Sequence, residues 1–394
     1  MKKGIQVIVS AVVMQICLGG VYAWSIYTPV LRNVYGMTGG QTGSIFGITI
    51  AVFAVAMIFA GRFQEKYGPR VVSFIGALFF AAGYILSSQS NGSFLILAAG
   101  IGVLSGIGIG CGYVCALATA IKWYPKRRGL ITGIAVMGFG GGAILLSRIA
   151  NGLMSNGTDV MQVFLGVGLV VGAILIVCAL FLKLPPDMIK GKDDSGSVIG
   201  KSLRQPRFIS LVIGMFAGTF GGLLVIGNLA PIGISWNFTS AQAASAIGLF
   251  SIGNMVGRFV WGVVYDRIKN IAIPLSLGLL GIAMLALLLP LPYAGFLTAS
   301  LFIGFSFGAC FVLYAAHVAT LYGSWAVGKI YPLVFLAYGV AGITGPSLGG
   351  FLYDVFSSYS YATILAVSIA WISAGVIIYL HSREKSENNL PADE

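Results

Sequence analysis

The chain has 394 residues and a net charge of +12; 58% of the residues are apolar, 9% are charged and 56 are glycine. A soluble domain carries about 25% charged residues, so this composition cannot form a water-facing surface and excludes a soluble enzyme, a nucleic-acid-binding domain and a disordered chain. Only helices or closed barrels satisfy every backbone group in lipid, and barrel strands would alternate polar and apolar residues, which these do not, so the chain reads as an all-α polytopic membrane protein.

Windows of about 20 apolar residues between polar breaks give twelve helices. The first, 5-30, exceeds the apolar region of a signal peptide and has no clear small-residue cleavage site, so it is a retained span. Helices at 41-61, 70-88, 93-121, 129-152 and 160-183 complete a first set of six. A long polar segment, 184-206, follows with Pro185-Pro186, Asp193-Asp194 and several lysines. The second set is 207-230, 240-264, 271-290, 293-317, 329-353 and 360-381. The predicted organisation is a six-helix half over 1-183, a cytoplasmic central loop over 184-206, a second half over 207-381 and a tail over 382-394.

Charge placement orients these spans. Of the 23 Lys and Arg residues, all but Arg32, Arg148 and Arg258 fall in segments on one side, which the positive-inside rule makes the cytoplasm. Both termini are then cytoplasmic, the membrane is the inner one, and the basic excess faces anionic lipid without any need for nucleic acid. The 11 acidic residues all lie in loops, tails or helix ends, which leaves no carboxylate for the middle of the membrane. Cys17, Cys111, Cys115, Cys178 and Cys310 are scattered in apolar stretches without CxxC spacing, as small buried residues are; no metal site, disulfide framework or cofactor is expected.

An internal repeat supports the two halves. Gly61-Arg62-Phe-Gln-Glu65-Lys66-Tyr-Gly68-Pro-Arg70 follows helix 2, and Gly262-Val-Val-Tyr-Asp266-Arg267-Ile-Lys269 follows helix 8, at an offset of 201. A second pair, Tyr124 to Gly129 and Tyr322 to Gly328, recurs at nearly that offset. Parallel halves of this kind place a substrate path near the bilayer midplane. Through these clusters, the helix number and the central loop, the whole chain resembles the major facilitator superfamily. The resemblance implies a conformational gate at Glu65, Arg62, Arg70, Asp266 and Arg267, with the acids bridging neighbouring helix ends and loop cations. Ordinary positive-inside charge is the simpler reading of the bases, though it does not explain an acid and a glycine placed twice.

A narrower likeness rests on Gly20-Val-Tyr22-Ala-Trp24-Ser25-Ile-Tyr27, Lys122-Trp-Tyr-Pro125-Lys-Arg-Arg128-Gly129, Gly138-Phe139-Gly140 and Gly257-Arg258. These strings resemble the oxalate:formate antiporter family and its monocarboxylate-carrying relatives. Arg258 leads the candidates: a guanidinium inside a membrane is costly, faces a cavity or partner, and offers a planar fork that matches a carboxylate. It lies eight residues before Asp266, about 12 Å along a helix. Snorkelling to the interface is the bland alternative, and it is the favoured account of Arg148. The resemblance implies aromatic cavity walls at Tyr22, Tyr113, Phe139, Phe311, Phe335 and Tyr338, although lipid-facing aromatics are common in membrane helices. The dicarboxylate exchanger has a helix 11 lysine where Tyr338 stands here, and the proton-coupled carriers have an aspartate where Asn254 stands. One cation suits one carboxylate, and an amide cannot hold the proton.

His317 near the end of helix 10 is a candidate proton site, with a packed interfacial histidine as the alternative. Gly102, Gly106 and Gly110, and Gly138 with Gly142, place small residues on one helix face for close contacts. Gly106-Ile-Gly-Ile-Gly-Cys-Gly112 has the look of a nucleotide loop, yet it lies inside an apolar helix with no preceding strand. The expected protein is a monomeric transporter, not an enzyme, of a small carboxylate anion such as formate, lactate or pyruvate, working by rocking of the halves. Oxalate:formate exchange is the alternative substrate reading, and an anion channel the alternative class.

Overall fold

A computed structural model of the protein describes residues 2–186, 205–289 and 291–387. Most of the expected central loop 184-206 and the end of the tail 382-394 lie outside the described residues.

Ten helical stretches are long and apolar enough to cross a membrane. Two are too long for one crossing: Gln41–Ser87 has 47 residues and Ser245–Leu288 has 44. At 1.5 Å per residue each reaches roughly 65–70 Å, about twice the hydrocarbon thickness. Each is broken once, at Gly68 (φ 82°) before Pro69 and at Lys269 (φ 53°). Counting both as pairs gives twelve spans among the described residues, the predicted number. Glycine reaches positive φ without a Cβ clash and proline removes a helix donor, so the first break follows from local sequence. The second falls at the same repeat position but on a lysine, a conformation that L side chains rarely adopt.

The repeat extends to the helix starts. Thr38 and Gln41 form a capping box, with Thr38 N donating to Gln41 Oε1 at 2.9 Å and Gln41 N to Thr38 Oγ1 at 3.2 Å. Thr239 and Gln242 do the same at 2.9 and 3.3 Å. These are the same positions of the two halves, and each box satisfies two donors that the first helical turn would leave open.

The chain packs as two compact units. The first holds Met1–Gly191 and Val318–Gly339. Its helices are α1 (Lys2–Gly19), α2 (Thr28–Asn33), α3 (Gly39–Ser87), α4 (Phe94–Leu97), α5 (Gly106–Trp123), α6 (Arg128–Ser155), α7 (Val160–Gly166) and α8 (Gly172–Phe181). The wide turns Ala98–Ser105 and Val167–Val171 join α4 to α5 and α7 to α8 as π-helix, so each pair still makes one span. The predicted helix 5-30 is divided: α1 ends at Gly19 and a 3₁₀ turn, Gly20–Ile26, follows. There Gly19 packs against the Phe139 carbonyl of α6, an approach that a side chain would block.

The second unit holds Lys192–His317 and Val340–Glu394. It contains α9 (Pro206–Ser235), α10 (Ser240–Ile268), α11 (Ala272–Leu285), α12 (Tyr293–Ala309) and α15 (Ser360–Glu387). Two further helices, α13 (Leu313–Tyr322) and α14 (Val327–Phe356), begin in one unit and end in the other. Thus 318–339, which sequence order places in the second half, packs inside the first unit. In the second unit α10 and α12 meet backbone to backbone: Gly253 lies against the Leu301 carbonyl, Gly257 against Phe305, Gly304 against Phe250 and Gly308 against Asn254. The four-residue spacing of these glycines keeps them on one seam, as close membrane-helix packing requires. Apolar side chains such as Leu95, 76% exposed, and Ile372, 66% exposed, cover the outside, as a lipid-facing surface demands.

Candidate functional site

In the second unit the α10–α12 seam places Arg258. Its guanidinium is fully buried, Nε donates to Asn254 Oδ1 at 3.1 Å, and Cζ stands 4.1 Å from the ring centroid of Phe311. Asn254 is one helical turn before Arg258, so its amide reaches back along the same face. Phe311 sits between α12 and α13 and is held edge-on by Phe307 at 5.1 Å. Gly257 and Gly308 allow the two helices to close around this cation. An amide oxygen and an aromatic face fix the plane of the guanidinium, and neither neutralises its charge. Three predicted site residues, Arg258, Asn254 and Phe311, are therefore brought together.

In the first unit the predicted aromatics form a second cluster. Tyr22, in the 3₁₀ turn after α1, shares a 2.6 Å hydrogen bond with the hydroxyl of Tyr338 and stands edge-on to Phe139 at 5.5 Å. Tyr113 packs edge-on to Phe139 at 5.2 Å and against Phe335 at 5.6 Å, while Phe335 touches Tyr338 at 4.9 Å. The centre of the cluster is Phe53, which sequence reasoning missed. Its ring lies 5.3 Å from Tyr113, 6.0 Å from Phe139 and 5.3 Å from Phe335, and it is 1% exposed. Two tyrosine hydroxyls set in an apolar wall can orient a small anion and exclude water around it.

A third group joins the ends of α3, α5 and α6 to 318–339, again within the first unit. Glu65 forms an ion pair with Lys329, both partly buried. Arg128 donates through Nη1 to the Ala319 carbonyl and through Nε to Pro125 O at 2.9 Å. Lys122, 4% exposed, places its ammonium 4.4 Å from the Trp325 ring centroid, and Gly61 packs against the Gly328 carbonyl. Arg62 and Arg70 are exposed. Of the other repeat, Asp266 is half-buried in the last turn of α10 and Arg267 is exposed. Lys329 had no assigned role in the sequence reading; its signal was a lone cation at the start of a span. Arg148 is exposed on α6. His317 is buried and bonded through Nδ1 to the Tyr265 hydroxyl at 2.9 Å.

Comparison with known proteins fits this architecture. The sequence profile described as Major Facilitator Superfamily matches residues 9–323 and 211–394. The oxalate:formate antiporter of Oxalobacter formigenes is 25% identical over 382 residues, 94% of this chain and 90% of that protein. Monocarboxylate transporter 13 of Bos taurus is 26% identical over 352 residues, 85% and 79% of the respective chains. The solved structure of the proton:xylose symporter XylE superposes with a TM-score of 0.73 at 14% identity, covering 95% of this chain and 94% of its own, a likeness of fold. With the profile covering the chain from end to end and the twelve spans in place, this protein belongs to the Major Facilitator Superfamily of membrane transporters.

Proposed function

We propose that the protein carries a small monocarboxylate of the formate, lactate or pyruvate class across the cytoplasmic membrane by alternating access. Both termini would lie in the cytoplasm, and the halves 1-183 and 207-381 would be the moving bodies on either side of the loop 184-206. The observation that carries this reading is the fully buried Arg258, held in plane by Asn254 and Phe311. A guanidinium oriented in a membrane span matches the two oxygens of a carboxylate. The relatives support the class: one bears the name of an oxalate:formate antiporter and one that of a monocarboxylate transporter.

In this reading Tyr22 and Tyr113 orient the anion, and Phe139, Phe335 and Tyr338 limit its size. Glu65 with Lys329 forms the conformational latch together with the Arg128 contact, and Asp266 with Arg267 forms its counterpart in the second repeat. Thermal-shift measurement on purified protein against a panel of mono- and dicarboxylates tests the substrate class, because a ligand that binds the native state raises apparent stability. Selective stabilisation by monocarboxylates is the expected result. Stabilisation by oxalate alone would favour dicarboxylate exchange, and stabilisation by none of them would remove the carboxylate reading.

A further inference from the structure

The chain has only 2 histidines, and the fold brings them together. His317 of α13 and His381 of α15 have ring centroids 6.0 Å apart with planes at 65°. His317 is 4% exposed and shares its Nδ1 with the Tyr265 hydroxyl. His381 has Nδ1 2.9 Å from the Ile377 carbonyl, which can only accept, so in the neutral ring Nδ1 carries the hydrogen and Nε2 is the base. His381 is half-buried and lines, with Asn270 and Ile271, a surface groove of about 520 Å³.

The groups facing the pair come from every neighbouring element. Tyr265 reaches it from α10 and Arg207, at the start of α9, lies within electrostatic range of His317. Lys269 stands 5.9 Å from the Tyr265 ring centroid, and Asp266 is the acid beside Tyr265 at the same helix end. Tyr265 and Arg258 are both fully buried, and seven residues, two helical turns, separate them, which puts them on one face about 10 Å apart along the axis.

We infer that His381 and His317 are a proton-accepting pair, open to the surface through His381 and anchored by Tyr265 to the Arg258 helix, through which pH sets the affinity for the anion. A proton is taken up at His381 Nε2 and shared with the facing imidazole; only N–H bonds form and break. The cations at Arg207 and Lys269 oppose a second charge, so the pair holds one proton. That charge lies on the order of 10–15 Å from an anion at Arg258, near enough to raise its affinity several-fold. This effect on affinity rests on the carboxylate reading above; the paired titration does not.

Histidine-selective isotope labelling of the purified protein gives two imidazole signal sets, which NMR can follow from about pH 8 to about pH 5. The expected result is one shared step, with both rings reporting the same midpoint, and a clear displacement of the His381 midpoint in His317→Gln and in Tyr265→Phe. Formate affinity, measured on the same samples, should rise several-fold on acidification in the wild type and stay flat in His317→Gln and His381→Gln. Since His381 is only half-buried, its variant separates the effect from a folding defect. Independent titration of the rings would overturn the proposal, and so would a pH dependence of formate binding that survives both variants. A shared step with no carboxylate bound at any pH would leave the proton pair standing and remove the carboxylate reading.

Discussion

Replacing Arg258 by lysine keeps the positive charge and removes the geometry, so it isolates what the fold invests in the guanidinium. In the wild type Nε is tied to Asn254 Oδ1 at 3.1 Å and the plane lies over Phe311 at 4.1 Å, which leaves the terminal nitrogens aligned as a fork. An ammonium makes one point contact with the anion where the fork makes two. A charge-assisted hydrogen bond is worth about 1.5–3 kcal/mol, and the lost stacking and amide anchor add on the order of 1 kcal/mol. The total is about 3 kcal/mol, roughly a hundredfold in affinity. Binding by calorimetry and uptake into proteoliposomes, with the amount of inserted protein matched, measure this directly. Arg148→Lys, at an exposed position, serves as the control and should be mild. Near wild-type binding by Arg258→Lys would remove Arg258 from the site, and an equal loss in Arg148→Lys would refute the ranking of the two arginines.

Three further outcomes follow from the geometry. Lys329→Glu should loosen the contact with Glu65 by about 1 kcal/mol, seen as a roughly fivefold change in the accessibility of an introduced cysteine near Gly328; the double swap with Glu65→Lys should restore it, and an unrestored swap would count against the latch. Tyr22→Phe and Tyr338→Phe each remove the same 2.6 Å hydrogen bond, so the double variant should lose about as much thermal stability as either single one; additive losses would show that the hydroxyls act separately. Lys269→Gly should stabilise the protein by about 1 kcal/mol, because glycine relieves the φ of 53° at that break, whereas Lys269→Ala should give no gain in a thermal-unfolding scan.

The spans and Arg258 were legible because a membrane punishes polar atoms so heavily that composition alone marks where the chain crosses and which charge is out of place. The break at Gly68 was also within reach, since Gly-Pro punctuates a helix wherever it occurs. Its counterpart at Lys269 was not, because no residue type announces a positive φ imposed by the repeat. Phe53 escaped notice for a different reason: a phenylalanine in a lipid-spanning helix satisfies either lipid or protein equally well, and only packing tells which. Glu65 with Lys329, His317 with His381, and the placement of 318–339 in the first unit join residues far apart in sequence, so no local pattern could report them. The capping boxes at Thr38 and Thr239 are a signal that sequence did carry, since both occupy equivalent positions of the repeat.

The most direct test of the central claim is counterflow in proteoliposomes loaded with one carboxylate and challenged outside with another, across formate, lactate, pyruvate and oxalate at zero membrane potential. With one central arginine and an amide at Asn254, a bound monoanion leaves the site near neutral, whereas a dianion adds an uncompensated negative charge at a cost of several kcal/mol in low dielectric. The account predicts saturable exchange of labelled formate or lactate, competed by other monocarboxylates and weakly by oxalate. Exchange of oxalate in preference to every monocarboxylate would contradict it.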